Sequence, residues 1–521
     1  MKKFLSIILS AFMLFGVVGC SDGGAIGGDT SGDSGVSSQK DMFNVVTTAV
    51  FTGFDPLRTN DAPSTDVNAQ MYETLYSIAQ DGSYKPLLAA EDPIYSDDGL
   101  VVTVKLKDGI TFHDGTPFNA EAVKNTFDLI KDPEFGSARA SLATSIESID
   151  VVDDLTVQFN LVYPDGVFHA KMAHTNSAIV SPTAQKNQDL MVNPVGTGPY
   201  KFVSSVAGSN VVLTANENYW GEEVEIKDIT ITVIKEESTA IARLQTGEAD
   251  FISSLSVEAV ERLEAMNDLV VGTTETARIT YMSLRPESFV NPLMGDINFR
   301  TAIAQSINKE GFIEFILNDD ATINNSIVGP KVFGYTDKAA DSYVKYDLEA
   351  AKKAVVDNGW QDEKISVLVA NSETYGVLSE YVQANLKEAG FNNVVLETVD
   401  FATWLSESKL DNRFDLTFAG WSNVTRDGTE LFEPNFGSNS SLRNRVVGTD
   451  IDQIILDSKT SINTEDRLNK LEEANMHIGE TVVALPLFSA DHFFSYNPTS
   501  FSEVRVDPSG TPYYKDFSLA K

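Results

Sequence analysis

Cysteine is almost absent from this chain: Cys20 is the only one in 521 residues, so no internal disulfide can form. Basic residues are scarce too. Lys and Arg number 39 against 75 Asp and Glu, a formal net charge of −36, and so acidic a surface repels phosphate backbones and anionic membrane faces. No nucleic-acid partner is expected. The five histidines, His113, His169, His174, His477 and His492, make no i,i+4 pair on a helix, no HExxH and no EF-hand loop. His169 and His174 stand five apart, yet a third zinc ligand is lacking, so no metal is expected. Gly196-Thr197-Gly198 is followed by Pro199 and Tyr200 instead of a Lys-Ser/Thr pair, which reads as a tight turn and not a phosphate cradle. GxSxG is missing, and carboxylates are too many for spacing to single out an acid/base pair. With no catalytic constellation and no cofactor motif, the chain reads as a binder and not an enzyme.

What is present begins with MKKFLSIILSAFMLFGVVGC, two lysines and then an apolar run from Phe4 to Val18. That run suits the core of a signal peptide and is short for a membrane span of about 20 residues. Val17-Val18-Gly19-Cys20 resembles the lipobox of bacterial lipoproteins, with two valines as its departure from the usual pattern. The resemblance implies cleavage after residue 19 and a diacylglyceryl thioether on Cys20, tethering the protein to the outer face of a membrane. Residues 20–41, rich in Gly, Ser and Asp, read as a flexible linker.

Beyond the linker, 42% hydrophobic content over so long a chain implies more than one core. VVTVKLKDGITFHDG (101–115) alternates with period two around Asp108-Gly109, and SIDVVDDLTVQFNL turns at Asp153-Asp154, so two hairpins are predicted. Asn119 is placed to cap the helix AEAVKNTFDLIK, and INFRTAIAQSINKEGFIEFIL reads as two helices broken near Asn308. Asp347 caps LEAAKKAVVDN before Gly359. The strand ISVLVA, the helix GVLSEYVQANLKEAGF and the strands VVLETV and DLTFAGW follow as an α/β alternation, and no fixed-period repeat appears.

Taken together, FDPLRTNDAPSTDVNAQMYETLYSIAQDGSYKPLLAAE (54–91), SDDGLVVTVKLKDGITFHDGTPFNAEAVKNTF (96–127), NPVGTGPYKF (193–202), NENYWG (216–221), ARLQTGEADF (242–251), FRTAIAQSINKEGFI (299–313) and RLNKLEEANMHIGETVVALPLF (467–488) resemble extracellular solute-binding family 5. That family comprises the peptide, nickel and glutathione receptors of ABC importers. The resemblance implies a two-lobed α/β fold of the periplasmic-binding-protein kind (type II), with mixed sheets joined by a two-strand hinge. Lobe one is expected over 42–282, with an extra subdomain at 84–195, lobe two over 283–492, and the tail 493–521 returning to lobe one. The implied mechanism is hinge closure on a solute, recognised by an importer permease, in a monomer on the extracytoplasmic side of the membrane (the periplasm where the envelope has two membranes).

Peptide-binding members keep an Asp three residues after a Gly-Trp in lobe two to receive the ligand's amino group. Here Val424 stands at that place, and the next acid is Asp427. WSNVTRDGTE instead resembles the glutathione and short-peptide branch, where Trp-Ser/Gly-x-Val-Thr-Gly-Asp is usual and Arg426 replaces the Gly. By this resemblance Gly420 and Trp421 end the strand at the cleft and Trp421 packs on the ligand. Asp427 is expected to pair with its amine, with Asn423 and Thr425 bonding its backbone. Phe54 and Tyr375 are further candidates. Dipeptide binders place an arginine just after the strand corresponding to ISVLVA, where this chain has Asn371-Ser372, so Arg426, or Arg443 or Arg445, is left to meet a ligand carboxylate. The rivals are a receptor for a nickel chelate, haem or sugar, and an extracellular hydrolase.

Overall fold

The alternating apolar runs assemble into two mixed sheets. The computed structural model describes residues 42–521 apart from 80–81, 267, 289, 411–412 and 439–449, and without the side chain of residue 373. The signal peptide, Cys20, the linker, Arg443 and Arg445 all lie outside the described residues.

The first sheet holds seven strands in the spatial order Val270–Thr274, His492–Tyr496, Phe251–Leu255, Met42–Thr47, Asp228–Val233, Asn210–Ala215, Tyr200–Val206. The second holds six, in the order Ala321–Ile323, Ala484–Ala490, Arg278–Leu284, Leu416–Ser422, Lys364–Ala370, Asn393–Val399. Side chains alternate across the second sheet: Met282 and Leu284 enter one apolar core with Phe418 and Leu487, while Ile279 and Tyr281 enter another with Ala419 and Phe432. Helices therefore cover both faces, as a sheet containing parallel pairs requires.

The chain passes between the sheets twice. Val270–Thr274 belongs to the first sheet and Arg278–Leu284 to the second, so residues 275–277 form one crossing, ahead of the boundary at 282 read from sequence. Ala484–Ala490 and His492–Tyr496 are separated only by Asp491, the second crossing. Thr276 Oγ1 donates to the Ala490 carbonyl at 2.8 Å, binding the crossings side by side. The segment after Tyr496 packs in lobe one, where Phe501, Tyr514 and Phe517 join its core.

A separate four-stranded antiparallel sheet, Ile94–Tyr95, Val101–Lys105, Thr156–Leu161 and Ile146–Asp153, lies within residues 84–195, packed under the helix Ala120–Lys131. Asn119 caps that helix, accepting from the Ala122 N–H at 3.1 Å. The hairpin at residues 153–156 forms, but the one predicted at Asp108-Gly109 does not. Val101–Lys105 pairs instead with Thr156–Leu161, and residues 110–118 close on themselves through Phe112 N–H to Thr116 O and Phe118 N–H to Ile110 O. Ile110, Phe112 and Phe118 are buried by that loop, and their burial outweighs a local strand pairing.

Candidate ligand cleft between the lobes

The lobes touch beside the hinge and enclose a cavity of about 750 Å³. Its lobe-one wall includes Asp61, Asn68 and Glu73, the loop with His174 and Asn176, and the C-terminal stretch from Arg505 to Asp516. Thr276, Arg278 and Asp491 line it at the hinge, and Ser422, Asn423, Val424 and Arg426 from lobe two. A volume of this order suits a small organic solute.

On the lobe-one side Glu73 is buried and accepts three hydrogen bonds, from Thr197 Oγ1 (2.8 Å), Tyr219 Oη (2.8 Å) and Trp220 Nε1 (2.7 Å). Burial pushes its carboxyl up, these donors pull it down, and it stays above the ordinary glutamate value. The glycines of Gly196-Thr197-Gly198 are required because a Cβ on Gly198 would sit 2.6 Å from the Met71 backbone carbon. The NENYWG and GTGPY motifs are thus the frame of one buried carboxylate. His113 fixes the same turn, its Nε2 lying 2.9 Å from the Gly198 carbonyl. His174 is buried in the wall, its Nδ1 accepting from the Asn176 N–H, and burial drives its pKa down to about 3, helped by the Arg139 charge. His169 packs on the rings of Tyr76 and Tyr84, and among the described residues no group of three or more His, Cys, Asp or Glu could hold a metal.

The lobe-two side is built by the strand Leu416–Ser422 and the loop after it. Asn423 is 2% exposed, lines the cavity, and both its Oδ1 and Nδ2 are buried with no hydrogen-bond partner among the described residues. Trp421 Nε1 is likewise buried and unpartnered, though Trp421 is not in the lining. Thr425 turns inward, its N–H and Oγ1 both donating to Glu430 Oε2, while its carbonyl accepts from Tyr84 Oη of lobe one at 2.8 Å. Arg426 adopts a left-handed backbone, φ 52°, where relatives are expected to keep Gly. Its guanidinium crosses the cleft, donating to the Ala79 carbonyl at 2.8 Å with Nη2 4.0 Å from Asp507 Oδ2.

Asp427 is not in the lining, and its Oδ2 is buried with no partner among the described residues. It is fully buried, and its Oδ1 accepts from Arg467 Nη2 at 2.5 Å and from Thr429 Oγ1 at 2.6 Å. Burial alone would lower the Arg467 pKa; the Asp427 carboxylate keeps it raised. A carboxylate neutralised within its own lobe is not offered to a ligand ammonium in this arrangement. Phe54 is buried in lobe one against Phe51 and Phe202, outside the lining. Gly420 and Tyr375 also lie outside the lining but are brought together: a Cβ on Gly420 would stand 2.2 Å from Arg278 Nη2 and 3.0 Å from Tyr375 Oη. Arg278 and Asp491, lining residues that sequence reasoning missed, sit at the chain crossings, which only the tertiary topology reveals.

Over residues 83–442 the sequence matches the family described as Bacterial extracellular solute-binding proteins, family 5 Middle. The chain belongs to that family. It is 29% identical over 408 residues to the glutathione-binding protein GsiB of Pectobacterium atrosepticum, covering 75% of this chain and 76% of that protein. GsiB of Shigella flexneri is 28% identical over 401 residues, covering 74% and 76%. In three dimensions the chain is similar to HbpA2 from Haemophilus parasuis, TM-score 0.82 at 20% identity, covering 92% of this chain and 99% of that one. The substrate-binding protein CtaP of an ABC transporter from Listeria monocytogenes gives TM-score 0.82 at 21% identity, covering 92% and 100%. The two-lobed fold and the role of an ABC importer's solute-binding component, a receptor and not an enzyme, follow from membership of this family. Among the described residues no helix is long and apolar enough to cross a membrane.

Proposed function

We propose that this chain captures a peptide-like solute, glutathione or a short peptide, between its lobes as a monomer and delivers it to the importer's permease. Asn423 carries the reading. A buried side-chain amide with neither its donor nor its acceptor met costs about 1–3 kcal/mol per group, a cost that a ligand carrying both functions removes. A peptide bond carries both. The names of the GsiB relatives add weight to glutathione as the solute.

The solute's ammonium is assigned to Asp491, not to Asp427, whose charge Arg467 already neutralises. Asp491 lines the cavity, its Oδ1 is buried without a partner, and burial together with Glu275 holds its carboxyl above the usual aspartate value. An ammonium is the group that such a carboxylate lacks. Trp421 and Tyr375, outside the lining, pack on one apolar core behind it. A diacylglyceryl anchor on Cys20 tethers the receptor outside the membrane.

Native mass spectrometry of the purified protein tests the solute. A retained mass of a peptide or glutathione, lost from Asn423→Ala, is expected; a retained nickel chelate, haem or sugar overturns the reading.

A further inference from the structure

Arg278 is the first residue of lobe two after the crossing at 275–277, and its pairing opposite Ser422 fixes it beside Asn423. Its side chain is exposed within a chain that carries 75 acids against 39 bases, yet among the described residues no carboxylate pairs with it. Among the described residues the guanidinium makes one hydrogen bond, from Nη1 to Ser422 Oγ at 3.0 Å. The guanidinium lies across the bare face of Gly420, the same face that the Tyr375 hydroxyl approaches, and Tyr375 Oη makes no hydrogen bond among the described residues. Three groups able to donate, a guanidinium and two hydroxyls, are thereby gathered about Gly420: Arg278 and Ser422 in the lining at the hinge end of the cavity, and Tyr375 Oη just outside it. A guanidinium fork with hydroxyls beside it matches the oxygens of a carboxylate.

We propose that Arg278, with Tyr375 Oη and Ser422 Oγ, seats a carboxylate of the solute, so that this receptor selects peptide-like ligands carrying a free acid at the end held by the hinge. The proposal deepens the peptide reading given above and rests on it for the rest of the ligand. Gly420 acquires a reason of its own: any side chain there would push the guanidinium off its place. Asn423 meets the neighbouring amide, and the two together set how far the acid stands from the first peptide bond. Asp491 on the other crossing supplies the opposite charge, so the hinge presents a cation and an anion to a zwitterionic ligand.

The test is calorimetry on the full chain with matched probes: glutathione and tripeptides as free acids and as C-terminal amides, together with glutarate as a carboxylate that is not a peptide. Arg278→Gln is expected to weaken the acids roughly 30-fold and the amides less than about threefold, and Arg278→Lys to recover part of the loss. Gly420→Ala keeps the charge and should give the same selective loss by displacing it. The parent protein binding amides as tightly as acids, or acids binding Arg278→Gln unchanged, overturns the carboxylate seat and leaves the peptide reading standing. Glutarate binding through Arg278 while every peptide fails sustains the seat and overturns the peptide reading. Binding of no carboxylate probe overturns both.

Discussion

Glu73 on the lobe-one wall and Asn423 on the lobe-two wall face one cavity, are both almost fully buried, and differ in a single respect. Glu73 accepts from three donors, whereas the Asn423 side-chain amide has no partner among the described residues. Folding alone accounts for the first; a ligand that carries both a donor and an acceptor meets the second. A polar residue lining a cleft is thus structural or ligand-facing according to whether its hydrogen bonds are already spent. Asp427, four residues beyond Asn423, stands between the two: Arg467 and Thr429 engage its Oδ1, while its Oδ2 is buried with no partner among the described residues.

The largest effect should come from breaking the spent pair. Arg467→Met leaves the Asp427 carboxylate buried without its cation and should lower unfolding free energy by about 3–5 kcal/mol in a urea titration. Glu73→Ala strands the donors of Thr197, Tyr219 and Trp220 and should cost about 3 kcal/mol by the same measurement. Both variants, if they fold, should bind the solute nearly as the parent does. Were Glu73→Ala fully stable but unable to bind, the division between the two walls would fail.

His174 gives a pH test of the same wall. Its folded pKa of about 3 lies below the ordinary 6.5, so the fold holds the neutral ring; its contribution is complete above pH 6.5 and is lost as pH falls from there toward 3. Between pH 7 and pH 5 the loss is about 2 kcal/mol. His174→Asn, which keeps an acceptor for the Asn176 N–H, should shrink the pH-dependent drop in stability by that amount. An identical drop in parent and variant would mean that the ring charges freely. Arg426→Gly should have the smallest effect on stability. It relieves a left-handed backbone worth about 1 kcal/mol, which offsets part of what is lost with the bond to the Ala79 carbonyl and the Asp507 charge 4.0 Å away. What should change is the resting separation of the lobes, read as a larger radius of gyration in X-ray scattering without ligand.

Helix caps read from the sequence survived into the structure; strand pairings and side-chain partners distant in the chain were not legible there. Asn119 and Asp347 cap their helices as read, accepting from Ala122 and Ala350, because a cap is decided within one turn of chain. The hairpin at Asp108-Gly109 was outcompeted by a strand half a subdomain away, which no turn residue reports. In the cleft, Asn423 and Arg426 reached the lining through the loop that follows Trp421. Asp427 could not be placed from sequence, since the arginine that engages it lies 40 residues further on. Phe54 was indistinguishable from a core residue, and it packs among Phe51 and Phe202. Arg278 carries no local signature; its meaning comes from the crossing beside it and the bare Gly420 beneath it.

The division between spent and unspent polar groups is tested most directly at Asn423. Asn423→Ala, titrated in parallel with solute and with urea, should lose binding by about 2 kcal/mol while keeping or slightly gaining stability, because an unmet amide leaves the folded state. Lost stability with unchanged solute affinity would contradict the account.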